Sequence, residues 1–190
     1  MKTNRLEAFS DGVLAIIITI MVLELKVPEE SEFHSLISKT PVFLSYVMSF
    51  IYLGIYWNNH HHLFQITEKV NGKILWANLH LLFWLSLIPF TTSWIGENYQ
   101  ASAPVTLYGI VLLMSSIAYF ILQNTIISHH EKDFSLRKSI GKGIKGKVSV
   151  SIYIIGIILS FYISWAAILC YILVAIIWFI PDKRIEKNIS

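Results

Sequence analysis

Long apolar segments, each about the length that crosses a lipid bilayer, fill most of this chain of 190 residues. A transmembrane helix needs about 20 mostly apolar residues, and six segments are candidates for such a helix. The predicted spans are residues 4–26, 41–62, 74–94, 104–125, 148–163 and 165–180. Only 14% of the residues are charged and 55% are hydrophobic, and a soluble protein of this size cannot bury so much apolar surface. The sequence therefore predicts an all-α integral membrane protein.

The distribution of positive charge predicts the orientation of the spans. Thirteen of the 15 Lys and Arg residues lie near the two termini or in the loops after the second and fourth spans. Six spans put all of these segments on one side, and cytoplasmic loops are rich in Lys and Arg. Both termini are therefore expected in the cytoplasm. The basic run 132–147 is interpreted as a contact with anionic lipid headgroups, because a net charge of +3 is too small to indicate a nucleic-acid partner.

Proline positions and span lengths predict two further features. Pro41 and Pro104 suit the first turns of their helices, where the missing N–H costs nothing. Pro89 lies inside the third span and predicts a kink there. The fifth and sixth spans adjoin near Ser164, and a single helix over 148–180 would overrun the bilayer. We therefore expect a tight hairpin at that point.

The chain carries no motif typical of an enzyme. It has no nucleophile elbow, no HExxH sequence, no Walker loop and no glycine-rich dinucleotide turn. The three consecutive histidines at 60–62 would point about 100° apart on a helix, so they cannot share one metal ion. No enzyme activity, no resident metal and no cofactor are expected, with zinc coordination across subunits kept as an alternative.

The first span separates on a helical wheel into an apolar stripe and a polar face. At 100° per residue, the stripe contains Arg5, Phe9, Gly12, Ile16, Thr19, Ile20 and Leu23. Ser10, Asp11 and Glu24 fall roughly 100–140° away from it. An apolar stripe is also the ordinary packing face of any bundle helix, so the pattern alone does not assign it a function.

Asp11 is the polar group of this span that most needs an explanation. A carboxylate inside the membrane is costly, and it marks a pairing or functional residue. Its expected partners are the histidines and asparagines at the end of the second span, including His60 and His61, or Asn78 or His80 in the third. Two interpretations stay open: a hydrogen-bond network that fixes helix packing, and a titrating proton relay.

The seven residues Arg5 to Asp11, at the start of this span, fit the pattern R-x-x-x-F-S-D and are followed by GVLAIIITIMVLELKVP. This arrangement resembles a bacterial member of the transmembrane protein 175 family, the endosomal and lysosomal potassium channels. The six-span parse with cytoplasmic termini matches the unit of that family. Animal members carry two such units per chain, so a single unit implies a homotetramer. A single unit also indicates a prokaryotic source, and the expected location is then the plasma membrane.

The resemblance implies specific roles for residues of the first span. In the family the first helices surround the pore, without a re-entrant filter loop, and a ring of Ile or Leu forms its narrowest point near a Thr layer. Carried over by position, the implied constriction and selectivity residues are Ile16, Thr19, Ile20 and Leu23. The motif residues implied to hold the cytoplasmic end of this helix are Arg5, Phe9, Ser10 and Asp11. Modest preference for potassium over sodium is expected.

Two other classes of function are kept as alternatives. A proton-coupled secondary transporter would use Asp11, Glu24 and a histidine of the second span. A membrane scaffold would carry no flux at all. Potassium flux through the purified protein, with sodium for comparison, separates the three.

Overall fold

The computed structural model describes residues 3–28, 31–65, 67, 69–129 and 144–179, and this part of the chain is almost entirely helical. Its helices are α1 (Thr3–Leu23), α2 (Phe33–Ser38), α3 (Thr40–Gln65), α4 (Gly72–Ser86), α5 (Ile88–Glu97), α6 (Ser102–His129), α7 (Ile144–Ser160) and α8 (Ser164–Phe179). Within the described residues, four helical segments are long and apolar enough to cross a membrane: Thr3–Leu23, Thr40–Gln65, Gly72–Glu97 and Ser102–His129. Ser164–Phe179 is a shorter apolar helix. The chain is an all-α membrane protein.

The helices coincide with the apolar segments of the sequence, but several of them end at other residues than the predicted spans do. The first ends at Leu23, earlier than the expected residue 26, while α3 and α6 extend beyond their expected ends. Most of the basic run 132–147 lies outside the described residues, as does residue 180 at the end of the sixth predicted span.

Three helix starts follow from local chemistry. The Asn71 side chain caps α4, because its Oδ1 accepts a hydrogen bond from the Ile74 amide at 3.0 Å. Pro41 and Pro104 fall in the first turns of α3 and α6, where a helix does not use the amide that proline lacks.

The third apolar segment is broken by its internal proline. Helix α4 ends at Ser86 and α5 begins at Ile88, with Leu87 between them. Proline at position 89 has no amide to donate, and its ring clashes with the carbonyl four residues earlier. The helix is therefore interrupted where Pro89 predicts a kink, and the interruption lies at Leu87, two residues before the proline.

Helices α7 and α8 form a hairpin rather than one long helix. The chain turns over Phe161–Ile163, where the amides of Tyr162 and Ile163 both donate to the Leu159 carbonyl, at 2.9 and 2.7 Å. The two helices then pack along each other. This turn lies next to Ser164, where the sequence indicates it.

Helix α1 packs against α3, α4 and α5, and α6 joins α4 to the α7–α8 hairpin. The buried residues of α1 recur every three or four positions: Thr3, Leu6, Ser10, Leu14, Ile17 and Met21. This spacing puts them on one side of the helix. The bundle therefore covers only one face of α1.

Tyr171 of α8 packs closely against both α6 and α7. Its ring lies directly against the backbone of Gly109 and Gly156, and its hydroxyl donates to the Val105 carbonyl at 3.3 Å. A Cβ at position 156 would lie 2.6 Å from Tyr171 Cε1, which is closer than two carbon atoms can approach. Only glycine at 156 lets α7 approach α8 this closely.

We expect Gly156→Ala to destabilise the protein by about 1–3 kcal/mol, the usual cost of overpacking a full core. The measurement is the thermal unfolding midpoint of the purified protein in detergent. Gly54→Ala is the matched control, because a Cβ at that helical position meets nothing within 4 Å. It should leave the midpoint unchanged or raise it, since Ala favours a helix over Gly. Equal midpoints for both variants would contradict this packing account.

Candidate functional site

The face of α1 that the bundle leaves uncovered carries the four residues of the expected constriction. Ile16, Ile20 and Leu23 expose 60%, 43% and 75% of their surface, and Thr19 beside them is exposed as well. One helical face thus presents three large branched side chains and one hydroxyl outside the subunit. Contact between such an apolar surface and water is unfavourable. Lipid or another protein subunit is therefore needed to cover this face.

The Thr19 hydroxyl is arranged so that it can face a cation. Its proton is used inside the helix, because Thr19 Oγ1 donates to the Ala15 carbonyl at 2.8 Å. The oxygen lone pairs then remain available on the exposed face. Since Thr19 is exposed, this oxygen can replace part of the water around an ion that passes it.

Behind this face, a buried chain of hydrogen bonds ties α1 to α4 and α3. Ser10 Oγ donates to the Leu6 carbonyl at 2.9 Å, and it accepts from Asn78 Nδ2 at 2.9 Å. Asn78 Oδ1 lies 2.8 Å from His60 Nε2. Ser10 and Asn78 are fully buried and His60 is almost so, so the three side chains form one polar contact between three helices.

The directions of these bonds fix the tautomer of His60. Asn78 uses its amide nitrogen toward Ser10, so its oxygen faces the histidine and must accept a proton from Nε2. The other ring nitrogen, Nδ1, is buried with no hydrogen-bond partner among the described residues, so a proton on it would have no acceptor and the unprotonated form is favoured there. The network therefore holds His60 as a neutral donor to Asn78.

A second polar cluster joins the start of α1 to the end of α3. Glu7 Oε1 lies 2.7 Å from His61 Nδ1, and Gln65 Nε2 lies 2.8 Å from the other ring nitrogen of His61. Trp57 stacks on His61 with 13° between the rings, and its Nε1 donates to Asp11 Oδ1 at 3.1 Å. Glu7 and Asp11, the two acidic residues of the first half of α1, thus both contact side chains of α3.

Several of these partners differ from the expected ones. Asp11 bonds to Trp57, not to a histidine or an asparagine. His80 accepts from Trp84 of its own helix at 3.0 Å, so its bond does not reach α1. Arg5 and Phe9 are exposed in the single subunit, with 52% of Phe9 accessible, and their implied role stays a prediction. Ser10 is the motif residue that is buried in the helix contact.

Sequence reasoning did not identify Glu7 and Trp57 as members of the site. A signal for both exists in the spacing, because Glu7 and Asp11 are four residues apart, as are Trp57 and His61. Side chains four apart share a helix face. Two such pairs on adjacent helices are typical of facing polar surfaces.

Two of the three consecutive histidines go to different partners, and the Nδ1 atom of the third, His62, is buried with no hydrogen-bond partner among the described residues. His60 faces Asn78 and His61 faces Glu7. No group of three or more His, Cys, Asp or Glu side chains in the described part of the chain is placed to hold a metal ion.

This chain is similar to known proteins in sequence and in fold. Residues 5–89 match the family described as endosomal/lysosomal potassium channel TMEM175. A potassium channel of Chryseobacterium sp. (strain P1-3) is 60% identical over 190 residues, which cover 100% of this chain and 99% of that protein. A potassium channel of Streptomyces collinus is 32% identical over 126 residues, 62% of this chain and 61% of that protein.

The fold agrees with a solved structure as well. The crystal structure of a lysosomal potassium-selective channel TMEM175 homolog from Chamaesiphon minutus matches with a TM-score of 0.83 at 29% identity. The match covers 95% of this chain and 97% of the other. The chain belongs to the TMEM175 family. The resemblance seen in the sequence is thereby confirmed, and the TMEM175 family consists of channels rather than enzymes.

We expect Asn78→Ala to lower the stability of this TMEM175 family member by about 1–3 kcal/mol, because it strands the buried His60 Nε2–H without an acceptor. The measurement is the thermal unfolding midpoint in detergent. Thr19→Ala is the control: it removes the one side-chain hydrogen bond of an exposed residue, whereas Asn78→Ala removes two buried ones, so Thr19→Ala should shift the midpoint much less. A larger shift for Thr19→Ala than for Asn78→Ala would show that the buried chain does not stabilise the fold.

Proposed function

We propose that this protein is a potassium channel of the cell membrane that assembles as a homotetramer, with α1 of each subunit lining the pore. The observation that carries the proposal is the uncovered face of α1, where Ile16, Ile20 and Leu23 stand exposed around the Thr19 hydroxyl. Membership of the TMEM175 family, and the potassium channels among its relatives, support the same function.

Four copies of this face around a shared axis would give stacked rings of branched aliphatic side chains. Apolar rings gate by dewetting, because an ion must shed water to pass them. The Thr19 oxygen, whose lone pairs are free of the helix, replaces part of that water. The protein thus needs no ring of backbone carbonyls in order to conduct.

Selectivity and gating follow from what lines this pore. A single hydroxyl layer replaces less of the hydration shell than a carbonyl filter does, so preference for potassium over sodium is modest. No span carries a ladder of arginines in the sequence, and steep voltage gating needs such charges. Opening of the pore therefore depends only weakly on voltage.

The proposed topology has six crossings, with both termini in the cytoplasm. Helices α4 and α5 together form the third crossing, and the α7–α8 hairpin supplies the last two. The bias of Lys and Arg toward one side supports this arrangement. The permeant ion is potassium, the partners are the other subunits and the bilayer, and no cofactor takes part.

A proton-coupled transporter is the second candidate, and one observation favours it. Glu7 and His61 are a titratable pair that joins α1 to α3 at 2.7 Å. Against it, Asp11 bonds to the indole of Trp57, which does not titrate. A transporter would show saturable uptake with a rate that depends on pH and on Asp11.

Flux from proteoliposomes of the purified protein tests the proposed function. A potassium gradient should drive a flux that exceeds the sodium flux. This flux should not saturate, whereas the flux through a carrier saturates. Saturable, proton-dependent uptake that Asp11→Asn abolishes would support the transporter instead. The absence of any flux would leave a membrane scaffold.

We expect Leu23→Ala and Ile16→Asn to change single-channel conductance or potassium preference, because each variant widens or wets an apolar ring. The measurement is current recorded with potassium on one side and sodium on the other. Val22→Ala is the matched control, since Val22 is also exposed on α1 but points about 100° away from Leu23. Leu23→Ala and Ile16→Asn currents identical to wild type would remove these residues from the pore.

A further inference from the structure

A groove lies between α4 and α6, at the end where α4 begins and α6 ends. Its volume is about 770 Å³, within the range of about 300–1,000 Å³ that ligand pockets commonly have. Asn71 bridges the two helices at this end, because its Nδ2 donates to His129 Nδ1 at 3.0 Å. Residues that line the groove include Asn71, Lys73, Trp76, His80, Ile121 and Thr125. The groove is therefore large enough to hold a ligand.

The mouth of the groove is positively charged. Lys73, in the first turn of α4, is exposed and lines the groove, and Lys69 is exposed two residues before Asn71. Neither lysine forms an ion pair within the described ranges. None of the described lining residues is acidic. An anionic group at the mouth would therefore gain a charged partner without displacing another one.

The walls beyond the mouth are mainly apolar. Trp76 lies three residues after Lys73 and is largely exposed, and Ile121 contributes an exposed side chain from α6. Tryptophan is typical of the boundary between membrane and water. The apolar walls fit a hydrocarbon chain, which a soluble anion does not have.

His80 adds a hydrogen-bond donor deeper in the groove. Its Nε2 accepts from Trp84 Nε1 at 3.0 Å, so the neutral ring carries its proton on Nδ1. This N–H has no acceptor among the described residues. His80 follows Lys73 by seven residues, which is about 10 Å along the helix and nearly the same direction around it. The groove thus offers a cation at its mouth and a neutral donor two turns further in.

We propose that this groove binds an anionic glycerophospholipid of the cytoplasmic leaflet. The phosphate lies at Lys73, an ester carbonyl accepts from His80, and an acyl chain runs along Trp76 and Ile121. The proposed topology puts this end of α4 and α6 on the cytoplasmic side, and basic pockets between membrane helices on that side bind anionic headgroups. The inference takes the leaflet from that topology and does not need ion conduction.

The test is native mass spectrometry of the purified protein in detergent, with phosphatidylglycerol or phosphatidylcholine of identical acyl chains. Phosphatidylglycerol should bind more tightly, at one site per subunit. Lys73→Gln should weaken its binding on the order of fivefold, which corresponds to about 1 kcal/mol for one lysine, and should bring it close to that of phosphatidylcholine. Lys147→Gln is the matched control, because Lys147 is also exposed near the start of a helix on the proposed cytoplasmic side but does not line the groove.

A second variant tests the acyl-chain part of the site. Thr125 is exposed and lines the groove, so Thr125→Trp fills part of the space and leaves both lysines in place. It should weaken the binding of both lipids, because the indole takes the place of the acyl chain. Inorganic phosphate in excess should not displace the lipid, since it has no apolar chain.

Several outcomes would overturn the proposal. Equal affinities for the two lipids, or equal losses in Lys73→Gln and Lys147→Gln, would show that no headgroup lies at Lys73. Displacement by inorganic phosphate would show a site for soluble anions. Loss of the oligomer in the spectra of Thr125→Trp would show that a neighbouring subunit covers the groove. Because the assay measures bound lipid and not flux, each of these results leaves the proposed channel function standing, and a failure of potassium flux leaves this inference standing.

Discussion

The structure depends on the rotation of α1, which has one side packed inside the bundle and the other side exposed outside the subunit. One side of this helix is buried against α3, α4 and α5, while the other side exposes branched aliphatic residues. A helix with apolar residues on both sides has no preferred rotation on hydrophobic grounds alone. The Ser10–Asn78–His60 chain supplies that preference, since only one rotation of α1 puts Ser10 where Asn78 can reach it.

This arrangement links the motif at the start of α1 to the residues further along it. Ser10 lies on the buried side, and Ile16 begins the exposed aliphatic run less than two turns later. If this hydrogen bond did not form in a membrane, a polar group would be left without a partner in hydrocarbon, which is costly in free energy. A polar contact of this kind fixes helix rotation more sharply than aliphatic packing, because aliphatic side chains pack nearly as well against lipid.

The sequence predicts the parts of this fold that local rules determine. The exposed stripe of α1 follows from helical periodicity, and the break before Pro89 follows from the chemistry of the proline ring. The partner of Asp11 could not be found in that way. Whether Asp11 meets Trp57 or a histidine depends on the rotation of α3 against α1, and no local pattern encodes that rotation. The same holds for Tyr171, whose fit against Gly156 requires knowing that α7 and α8 touch there.

The most direct measurement of the central claim is an electron cryomicroscopy reconstruction of the purified protein in lipid nanodiscs. The account predicts four copies around one axis, with Ile16, Ile20 and Leu23 of each subunit facing that axis and forming its narrowest point. A reconstruction in which these side chains lie against lipid, or in which the protein is a single subunit, would contradict it.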